Sequence, residues 1–505
     1  MLLIFPPLAK ACEPPAGIAR LAAALKSHGL PCRLLDANLE GQLWLLEQPP
    51  AANDTWSRRA YKGRARNLAA LRDSATYAAP DRYGRAVSDL NRLLAISAVE
   101  QDVVIGLADY QHDTLSPLRS DDLRFAAQQP EQNPFFPYFS RRLPALLAEA
   151  GTAGFSLNYL SQALCTFAMI GYLRREFPAL KIVLGGGLVT SWMQRPGWRN
   201  PFGDLVDSMI SGPGEAQLLE LLGVGSTASR HVLPDYTGLP VGEYLSPGLI
   251  LPYSAASGCY WNGCSFCPER AEGNAYHPVP VSRVLSDLKL LTEQMTPRLI
   301  HLLDNAISPA LLHALAEHPP GVPWYGFARI DEQLADLDFC RALKRSGCVM
   351  LKLGLESGDQ NVLDRMNKGI ELNVASRVLQ NLQEAGIAVY CYLLFGTPGE
   401  TEVAARRTLE FVARHHQAIT FLNLAVFNMP LHGEEAEQYG QQPFYEGDLS
   451  LYTAFRHPGD WGRKQVRRFL ESEFKRHPAV AAIVRNDPPQ FSSNHAPLLC
   501  GYTVN

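Results

Sequence analysis

The chain has 505 residues, of which 47% are hydrophobic, 9% aromatic and 19% charged, and this composition excludes an intrinsically disordered protein. At roughly 150 residues per domain, the length predicts about three folded units and excludes a single small domain. The 46 basic residues nearly balance the 50 acidic residues and leave a formal net charge of −4, which provides no positive field for a nucleic-acid partner.

The first 40 residues predict a strand, a helix and a second strand of an α/β unit. Residues 1–5 are apolar, apolar residues recur at helical spacing over 17–28, and a second strand is predicted at 32–36. The opening apolar run stops at Pro6-Pro7, too early for the core of a secretory signal. No apolar stretch reaches the roughly 20 residues of a membrane span. We therefore expect no membrane span. The ten cysteines, of which only three are clustered, favour a reducing cytoplasm over a disulfide framework.

Residues from about 41 to 145 interrupt the alternation and predict a mostly helical insertion in the first domain, which spans 1–222. Strands are then predicted at 153–156, 181–184 and 205–210, with a helix at 161–176. This alternation is typical of a Rossmann-like, doubly wound parallel sheet whose ligands bind beyond the carboxyl ends of the strands. A stretch rich in glycine, proline and serine at 223–248 predicts a linker.

A second series of strands and helices occupies 249–425 and predicts a partial (β/α)6 barrel, with its site at the carboxyl ends of the strands. Residues 426–505 are less regular and predict an α-rich C-terminal cap, with a helix at 462–477. The six predicted strands of the barrel are 251–254, 299–303, 324–328, 350–354, 388–395 and 420–425.

Three of the ten cysteines lie within nine residues, directly after the first barrel strand: Cys259, Cys264 and Cys267. Thiolates select zinc or iron–sulfur clusters among the common metal centres. A structural zinc site normally has a fourth Cys or His ligand, yet no second C-x-x-C exists and the nearest histidine is His277. Three ligands suit a four-iron, four-sulfur cluster with one iron left open. A zinc site and buried packing cysteines stay open as alternatives.

The cysteine loop resembles that of the radical S-adenosylmethionine (SAM) enzymes. Their usual motif is C-x3-C-x2-C with an aromatic residue before the last cysteine, a place that Phe266 holds here. The spacing in this chain is C-x4-C-x2-C, which is one residue longer. The resemblance continues in the family's order over about 250 to 425, through Leu302-Leu303-Asp304-Asn305, Phe327-Ala328-Arg329-Ile330-Asp331, Gly354-Leu355-Glu356-Ser357-Gly358, Met366-Asn367-Lys368-Gly369 and Leu394-Phe395-Gly396-Thr397-Pro398-Gly399-Glu400-Thr401.

This resemblance implies that SAM chelates the open iron and that one electron from the reduced cluster cleaves its S–C5′ bond. The resulting 5′-deoxyadenosyl radical would abstract hydrogen from a substrate, so the protein would act by positioning and by excluding water. A charged residue after a strand is also commonly a surface ion pair, and the turn at Gly396 is equally a strand terminator. The SAM contacts that the resemblance implies are Phe266, Asp304, Arg329, Glu356, Ser357, Lys368 and Gly396.

Residues 1–40 and 150–222 resemble the cobalamin-binding domain that precedes many radical SAM domains. Glycines after strands let the backbone approach a large planar ligand, although the same turns also serve packing alone, so a domain that has lost the cofactor is the alternative. The cobalamin contacts implied by the resemblance are Pro7, Ser156, Tyr159, Gln162, Gly185, Gly186, Gly187, Thr190, Gly212, Gly214 and Glu215.

Cobalamin modules that ligate cobalt through histidine carry the motif D-x-H-x-x-G, which this chain lacks. The histidines before residue 225 are His28 and His112, and the segment Asp109-Tyr110-Gln111-His112 does not match the motif. We therefore expect cobalamin to bind without a histidine as its lower ligand.

The activity implied by the resemblance is methyl transfer to an unactivated carbon, with SAM used twice, as methyl donor and as radical source. A first alternative is another radical reaction, such as cyclisation, ring contraction or oxidation, with cobalamin as electron carrier or absent. A second is a non-catalytic iron–sulfur or corrinoid sensor. The expected partners are a small-molecule or peptide substrate and an electron donor such as flavodoxin or ferredoxin.

Overall fold

Residues 1–49, 54–148, 150–224, 231–439, 447–488, 495 and 498 are described by the structure, a computed structural model. They divide into a first unit, residues 1–250 with 447–450, 488 and 495, and a second unit, residues 251–439 with 451–487 and 498. Each unit is built on one parallel sheet with helices between its strands. The predicted α/β fold, a Rossmann-like sheet followed by a partial barrel and an α-rich C-terminal region, is confirmed.

The first unit begins with a strand, a helix and a strand, as predicted. Its elements in chain order are β1 (Leu2–Phe5), α1 (Ala16–Ser27), β2 (Arg33–Asp36), α2 (Ala37–Glu47), α3 (Thr55–Leu71), α4 (Ser74–Tyr77), α5 (Pro80–Ser97), β3 (Val103–Ile105), β4 (Tyr110–His112), α6 (Ser120–Gln128), α7 (Phe136–Leu147), β5 (Thr152–Ser156), α8 (Leu160–Glu176), β6 (Lys181–Gly185), α9 (Gly187–Met193), β7 (Ser208–Met209) and α10 (Glu215–Leu221).

Five of these strands form a parallel sheet in the order β2-β1-β5-β6-β7. β2 lies on one side of β1, whereas β5, β6 and β7 lie on the other side. The strand order therefore reverses between β1 and β5. Ligands of open α/β sheets bind at such a reversal, outside the carboxyl ends of the strands. β7 is shorter than the predicted strand 205–210, because Leu205 and Val206 donate their N–H groups to the carbonyl of Phe202 in a turn.

Helix α8 is apolar on all sides and is buried from Gln162 to Leu173. Its outer face is covered by α6 and α7, which come from the chain between β2 and β5. The approach of α6 is close, since a Cβ added at Gly171 would lie 1.8 Å from the carbonyl oxygen of Ala127. The apolar stretch in this helix is therefore core. No helix in the described ranges is both long enough and apolar enough to cross a membrane.

The second unit contains all six predicted barrel strands. Its elements in chain order are β8 (Ile250–Tyr253), β9 (Ala256–Ser257), α11 (Pro268–Ala271), β10 (His277–Pro278), α12 (Val281–Met295), β11 (Leu299–Leu302), α13 (Pro309–Glu317), β12 (Trp324–Ala328), α14 (Leu337–Arg345), β13 (Cys348–Glu356), α15 (Gln360–Arg365), α16 (Leu372–Glu384), β14 (Ala388–Phe395), α17 (Glu402–Arg414), β15 (Phe421–Val426), β16 (Met429–Pro430), α18 (Glu434–Tyr439), β17 (Tyr452–Thr453), α19 (Arg463–Phe469) and α20 (Pro478–Val484).

The six-stranded sheet has the order β15-β14-β13-β12-β11-β8, which follows the chain order of its strands. The pairs from β11 to β15 are parallel, and a helix lies between each strand and the next. This is the arrangement of a barrel that stops after six strands. The loops that follow the strands therefore share one edge of the sheet, where the sites of such barrels lie.

Candidate active site

The three-cysteine loop begins after β8 and is closed at its base by a short antiparallel ladder. Ser257 of β9 pairs with His277 of β10, and Ala256 pairs with Pro278. Gly258 then turns the chain with a φ of +73°, and a Cβ added there would lie 2.4 Å from the carbonyl oxygen of Ala275. The ladder therefore fixes both ends of the loop.

All three loop cysteines are free thiols; Cys264 is buried, whereas Cys259 and Cys267 are half-buried. Burial raises the pKa of Cys264, and the nearby cations Lys368 and Arg329 oppose that rise. Burial also raises the pKa of Cys267, and the backbone N–H groups of Glu269 and Arg270 oppose it. Buried thiols of this kind stay protonated until a metal displaces the proton.

The described residues contain no group of three or more His, Cys, Asp or Glu side chains set together as metal ligands. The three cysteines share one loop, and the charges of Cys259 and Cys264 contribute to the raised pKa values of Cys264 and Cys267, respectively. The donor set, three soft thiols with cations nearby, fits an iron–sulfur cluster in its chemistry. Their role as its ligands stays a prediction.

Phe266, Lys368 and Glu356 lie together at the carboxyl end of β13. The Lys368 Nζ lies 2.8 Å from Glu356 Oε1 and 5.3 Å from the centroid of the Phe266 ring. The Lys368 and Glu356 side chains are only 10% and 12% exposed. Gly354 makes room for the pair, since a Cβ there would lie 2.6 Å from Glu356 Oε1 and 2.8 Å from Lys368 Nζ. The sequence motifs are thus joined into one charged cluster.

Asp304 and Ser357, two other predicted SAM contacts, are buried and bond to the protein's own loops. Asp304 accepts a hydrogen bond from the backbone N–H of Ala255 at 3.1 Å, and burial raises the pKa of its carboxyl to about 6. Ser357 Oγ lies 3.2 Å from the hydroxyl of Thr408 in α17 and accepts the N–H of Asp359. In this structure both side chains stabilise the strand ends.

The predicted contact Gly396 lies in a turn that the rest of the unit holds in place. Its φ is +81°, and its N–H donates to Glu400 Oε2 at 2.5 Å. The same carboxylate oxygen accepts the indole N–H of Trp461 at 2.8 Å. Burial raises the pKa of Glu400 to about 7. Sequence reasoning placed Glu400 in a motif but missed Trp461, because only the fold brings residue 461 to this turn.

Arg329, the last predicted SAM contact, stacks on Trp261 of the cysteine loop. Its Cζ lies 4.0 Å from the Trp261 ring centroid, and its guanidinium donates to the carbonyl of Lys368 at 2.6 Å. Trp261 was not among the site residues predicted from the sequence. The one feature that could have indicated it is its position between Cys259 and Cys264, where the loop is one residue longer than the usual motif.

In the first unit, several predicted cobalamin contacts lie where β1, β5 and β6 end. Gln162 is buried, donates to the carbonyl of Pro6 at 2.7 Å and accepts the N–H groups of Asn158 and Tyr159. It thereby joins the loop that contains Pro7 to the start of α8. Ser156 is buried and accepts a hydrogen bond from Asn158 Nδ2 at 3.1 Å, whereas Tyr159 is 56% exposed.

The remaining predicted contacts follow β6 and β7. Thr190 Oγ1 donates to the carbonyl of Gly186 at 3.0 Å and accepts the N–H of Gly212 at 2.9 Å, so it joins the two loops. Gly185 ends β6 and Gly187 begins α9. Gly214 precedes α10, where Glu215 forms an ion pair with Arg20 at 2.6 Å. Their predicted role in cobalamin binding is not tested by this geometry.

Residues 326–412 match the family model described as the radical SAM superfamily. The chain is 27% identical over 176 residues to the bacteriochlorophyllide d C-12(1)-methyltransferase of Chlorobaculum tepidum, which covers 33% of this chain and 38% of that protein. It is 23% identical over 193 residues to an uncharacterized methyltransferase of Pyrococcus horikoshii, covering 36% and 41%.

A third relative is the anaerobic magnesium-protoporphyrin IX monomethyl ester cyclase of Rubrivivax gelatinosus, 24% identical over 190 residues that cover 35% of this chain and 34% of that protein. The alignments thus span between 34% and 41% of the lengths of these relatives.

Two solved structures share the fold. One is the radical SAM methyltransferase TsrM from Kitasatospora setae with cobalamin and a [4Fe-4S] cluster bound, at a TM-score of 0.51 and 16% identity over 86% of this chain and 77% of that chain. The other is the cobalamin-dependent radical SAM enzyme OxsB with aqua-cobalamin and SAM bound, at a TM-score of 0.53 and 14% identity over 66% and 60%.

Proposed function

We propose that this chain, whose residues 326–412 match the radical SAM superfamily model, is a radical SAM enzyme, and specifically a cobalamin-dependent methyltransferase acting on an unactivated carbon. The observation that carries the proposal is the loop of three free cysteines after β8, at the carboxyl edge of the six-stranded sheet. Two relatives named as methyltransferases and two structures of similar fold with bound cobalamin support it.

Cys259, Cys264 and Cys267 would hold a four-iron, four-sulfur cluster, which when bound supplies the single electron for cleavage of SAM. Burial raises the pKa of Cys264, and the cations Lys368 and Arg329 oppose part of that rise, which reduces the cost of forming the thiolate that binds iron. An electron donor such as flavodoxin or ferredoxin is required to supply that electron.

Phe266, Glu356 and Lys368 would bind SAM, because together they offer a ring, a carboxylate and an ammonium group at one strand end. A carboxylate suits the amine of SAM, an ammonium suits its carboxylate, and a ring face suits its adenine. Asp304, Ser357 and Gly396 would act by holding the surrounding loops. The contribution of the protein is then to position SAM and to exclude water from the reaction.

Cobalamin would bind at the carboxyl edge of the five-stranded sheet and carry the methyl group when bound. The loops that contain Pro7, Ser156, Gly186, Thr190 and Gly212 meet there. We propose binding without a histidine lower ligand, since His28 follows α1 and its ring Nδ1 lies 2.9 Å from the Ala24 carbonyl, and His112 lies in the β3–β4 hairpin. The compartment we propose is the cytoplasm.

A second candidate is a radical ring-forming reaction on the same site. It is favoured by the likeness to the cyclase of Rubrivivax gelatinosus. Both reactions form 5′-deoxyadenosine from the radical, but only the methyl transfer also leaves S-adenosylhomocysteine.

The proposal is tested by incubating the anoxically reconstituted full chain with SAM, a reductant and hydroxocobalamin. We expect both 5′-deoxyadenosine and S-adenosylhomocysteine, and a corrinoid absorption spectrum that remains with the protein on gel filtration. 5′-Deoxyadenosine alone favours the ring-forming reaction. The absence of both products, with the cysteines intact and iron bound, contradicts catalysis and leaves a sensor.

A further inference from the structure

Trp261 lies in the stretch between Cys259 and Cys264 that is one residue longer than the usual motif. This stretch consists of Tyr260, Trp261, Asn262 and Gly263. Asn262 has a φ of +43°, so the chain turns immediately after Trp261. Trp261 is 38% exposed, yet its indole ring contacts side chains and backbone of the barrel.

The Trp261 ring occupies a slot between Arg329 and Gly369. The Arg329 Cζ lies 4.0 Å from the ring centroid. A Cβ added at Gly369 would lie 2.3 Å from the ring carbon Cζ2, so only glycine leaves space for the ring. The ring Nε1 also lies 3.4 Å from the carbonyl oxygen of Asn367.

Two hydrogen bonds, one from a side chain and one between backbone groups, join the cysteine loop to residues 366–369 on both sides of Cys264. Asn367 Nδ2 donates to the carbonyl of Gly263 at 2.8 Å. The N–H of Ser265 donates to the carbonyl of Met366 at 3.0 Å. Cys264 is therefore held between two bonds to segment 366–369, and the Trp261 ring packs against the end of that segment.

Arg329 connects this arrangement to the barrel. Its guanidinium donates to the carbonyl of Lys368 at 2.6 Å, and its Cζ lies over the indole ring. Arg329 follows β12 directly, so it is anchored on the sheet. The Arg329 guanidinium therefore links segment 366–369 to the cysteine loop.

We propose that Trp261 and Arg329 form a clamp that positions Cys264 in the cysteine loop, and that Gly369 is glycine in order to admit the indole ring. Trp261 and Arg329 are thus positioning residues, and the extra residue of the loop is what brings Trp261 to this slot. The proposal rests on the proposed function in one respect, namely that the loop holds the cluster.

The first test compares Trp261→Ala with Trp261→Phe in the full chain. In the metal-free protein we measure the alkylation rates of Cys259, Cys264 and Cys267 by iodoacetamide and peptide mass spectrometry, with the half-buried Cys32 of the first unit as internal control. We expect Trp261→Ala to raise the rate at Cys264 about threefold, the factor that corresponds to a cation–π contact at an exposed site. The variant Trp261→Phe keeps an aromatic ring beside the guanidinium, so its Cys264 should be alkylated at the wild-type rate.

The second test fills the slot by placing a methyl group at Gly369. Gly369→Ala should raise the alkylation rate as Trp261→Ala does, because the added Cβ displaces the ring. Gly321→Ala is the matched control, since Gly321 also has a positive φ, +80°, but nothing within 4 Å of an added Cβ. Adding Trp261→Ala to Gly369→Ala should cause no further increase.

Iron content after anoxic reconstitution separates this proposal from the proposed function. If the wild type binds no iron but Trp261→Ala raises the alkylation rate of Cys264, the result contradicts the proposed function and supports the clamp. A wild-type protein that binds iron, but whose thiol rates are unchanged in Trp261→Ala and in Gly369→Ala, overturns the clamp. Equal effects of Gly369→Ala and Gly321→Ala overturn it as well.

Discussion

At the scale of single residues, two predicted cobalamin contacts, Gly186 and Gly212, differ in what surrounds them. Gly186 has a φ of +108°, and a Cβ there would lie 2.4 Å from the carbonyl oxygen of Leu157. Gly212 has a φ of +68°, but nothing lies within 4 Å of an added Cβ. The first glycine is required by packing between two loops, whereas the second leaves open space that a ligand can use.

We expect Gly186→Ala to lower the free energy of unfolding by at least about 2 kcal/mol, because a backbone clash adds to the strain of a left-handed residue. Gly212→Ala should cost about 1 kcal/mol from backbone strain alone. Urea unfolding followed by circular dichroism measures both effects. Equal midpoints for the two variants contradict this distinction.

The buried pair of Lys368 and Glu356 provides a second prediction at this scale. Lys368→Met leaves the Glu356 carboxylate buried without the cation that lies 2.8 Å away, so we expect a loss of about 3 kcal/mol in the free energy of unfolding. Adding Glu356→Leu should recover most of that loss, because the double variant has no buried carboxylate without a cationic partner. A double-mutant cycle in urea measures the coupling, and purely additive effects contradict it.

At the scale of secondary-structure elements, the turn after β14 depends on the buried carboxyl group of Glu400. Glu400 is 1% exposed, its Oε2 accepts two hydrogen bonds, and its Oε1 has no partner among the described residues. Asp359 faces it as a like charge, and burial raises the pKa of Glu400 to about 7. The folded state therefore keeps a proton that the unfolded state loses near pH 4.5.

Stability should consequently fall as the pH rises from about 4.5 to about 7, because the folded state binds more protons than the unfolded state in that range. Glu400→Gln keeps the carbonyl acceptor and removes the titration. Between pH 5 and pH 8 we expect the free energy of unfolding to fall by about 2 kcal/mol less in this variant than in the wild type. The thermal midpoints of both proteins at both pH values report this difference. Glu402→Gln, at an exposed carboxylate of α17, is the control and should behave as wild type.

The regular elements could be predicted because their periodicity is long. All six barrel strands follow from apolar runs in the sequence, whereas the short helices α11 and α15 were not predicted. The ladder of β9 and β10 has only two residues in each strand, which is too short for any periodic signal. The predicted helix 462–477 is in fact α19 followed by a π-helical turn, Leu470–Phe474.

At the scale of the whole molecule, the sequence motifs predicted which residues gather at the strand ends but not what each side chain contacts there. The order of the strands follows from the alternation of strands and helices, since parallel strands need crossovers of one hand. The contacts of Asp304, Ser357 and Arg329 with the protein's own loops depend instead on loop paths of no fixed period. The first unit and the second unit can each be tested for their own cofactor in the intact chain.

The central claim is that Cys259, Cys264 and Cys267 together hold a four-iron, four-sulfur cluster. The most direct measurement is the iron and acid-labile sulfide content of the anoxically reconstituted full chain, compared with the variant that replaces all three cysteines by alanine, and with Cys340→Ala, a buried thiol of α14, as control. We predict about four iron and four sulfide per chain in the wild type and in the control, and none in the triple variant. An equal iron content in the triple variant, or a single zinc ion in the wild type, would contradict the account.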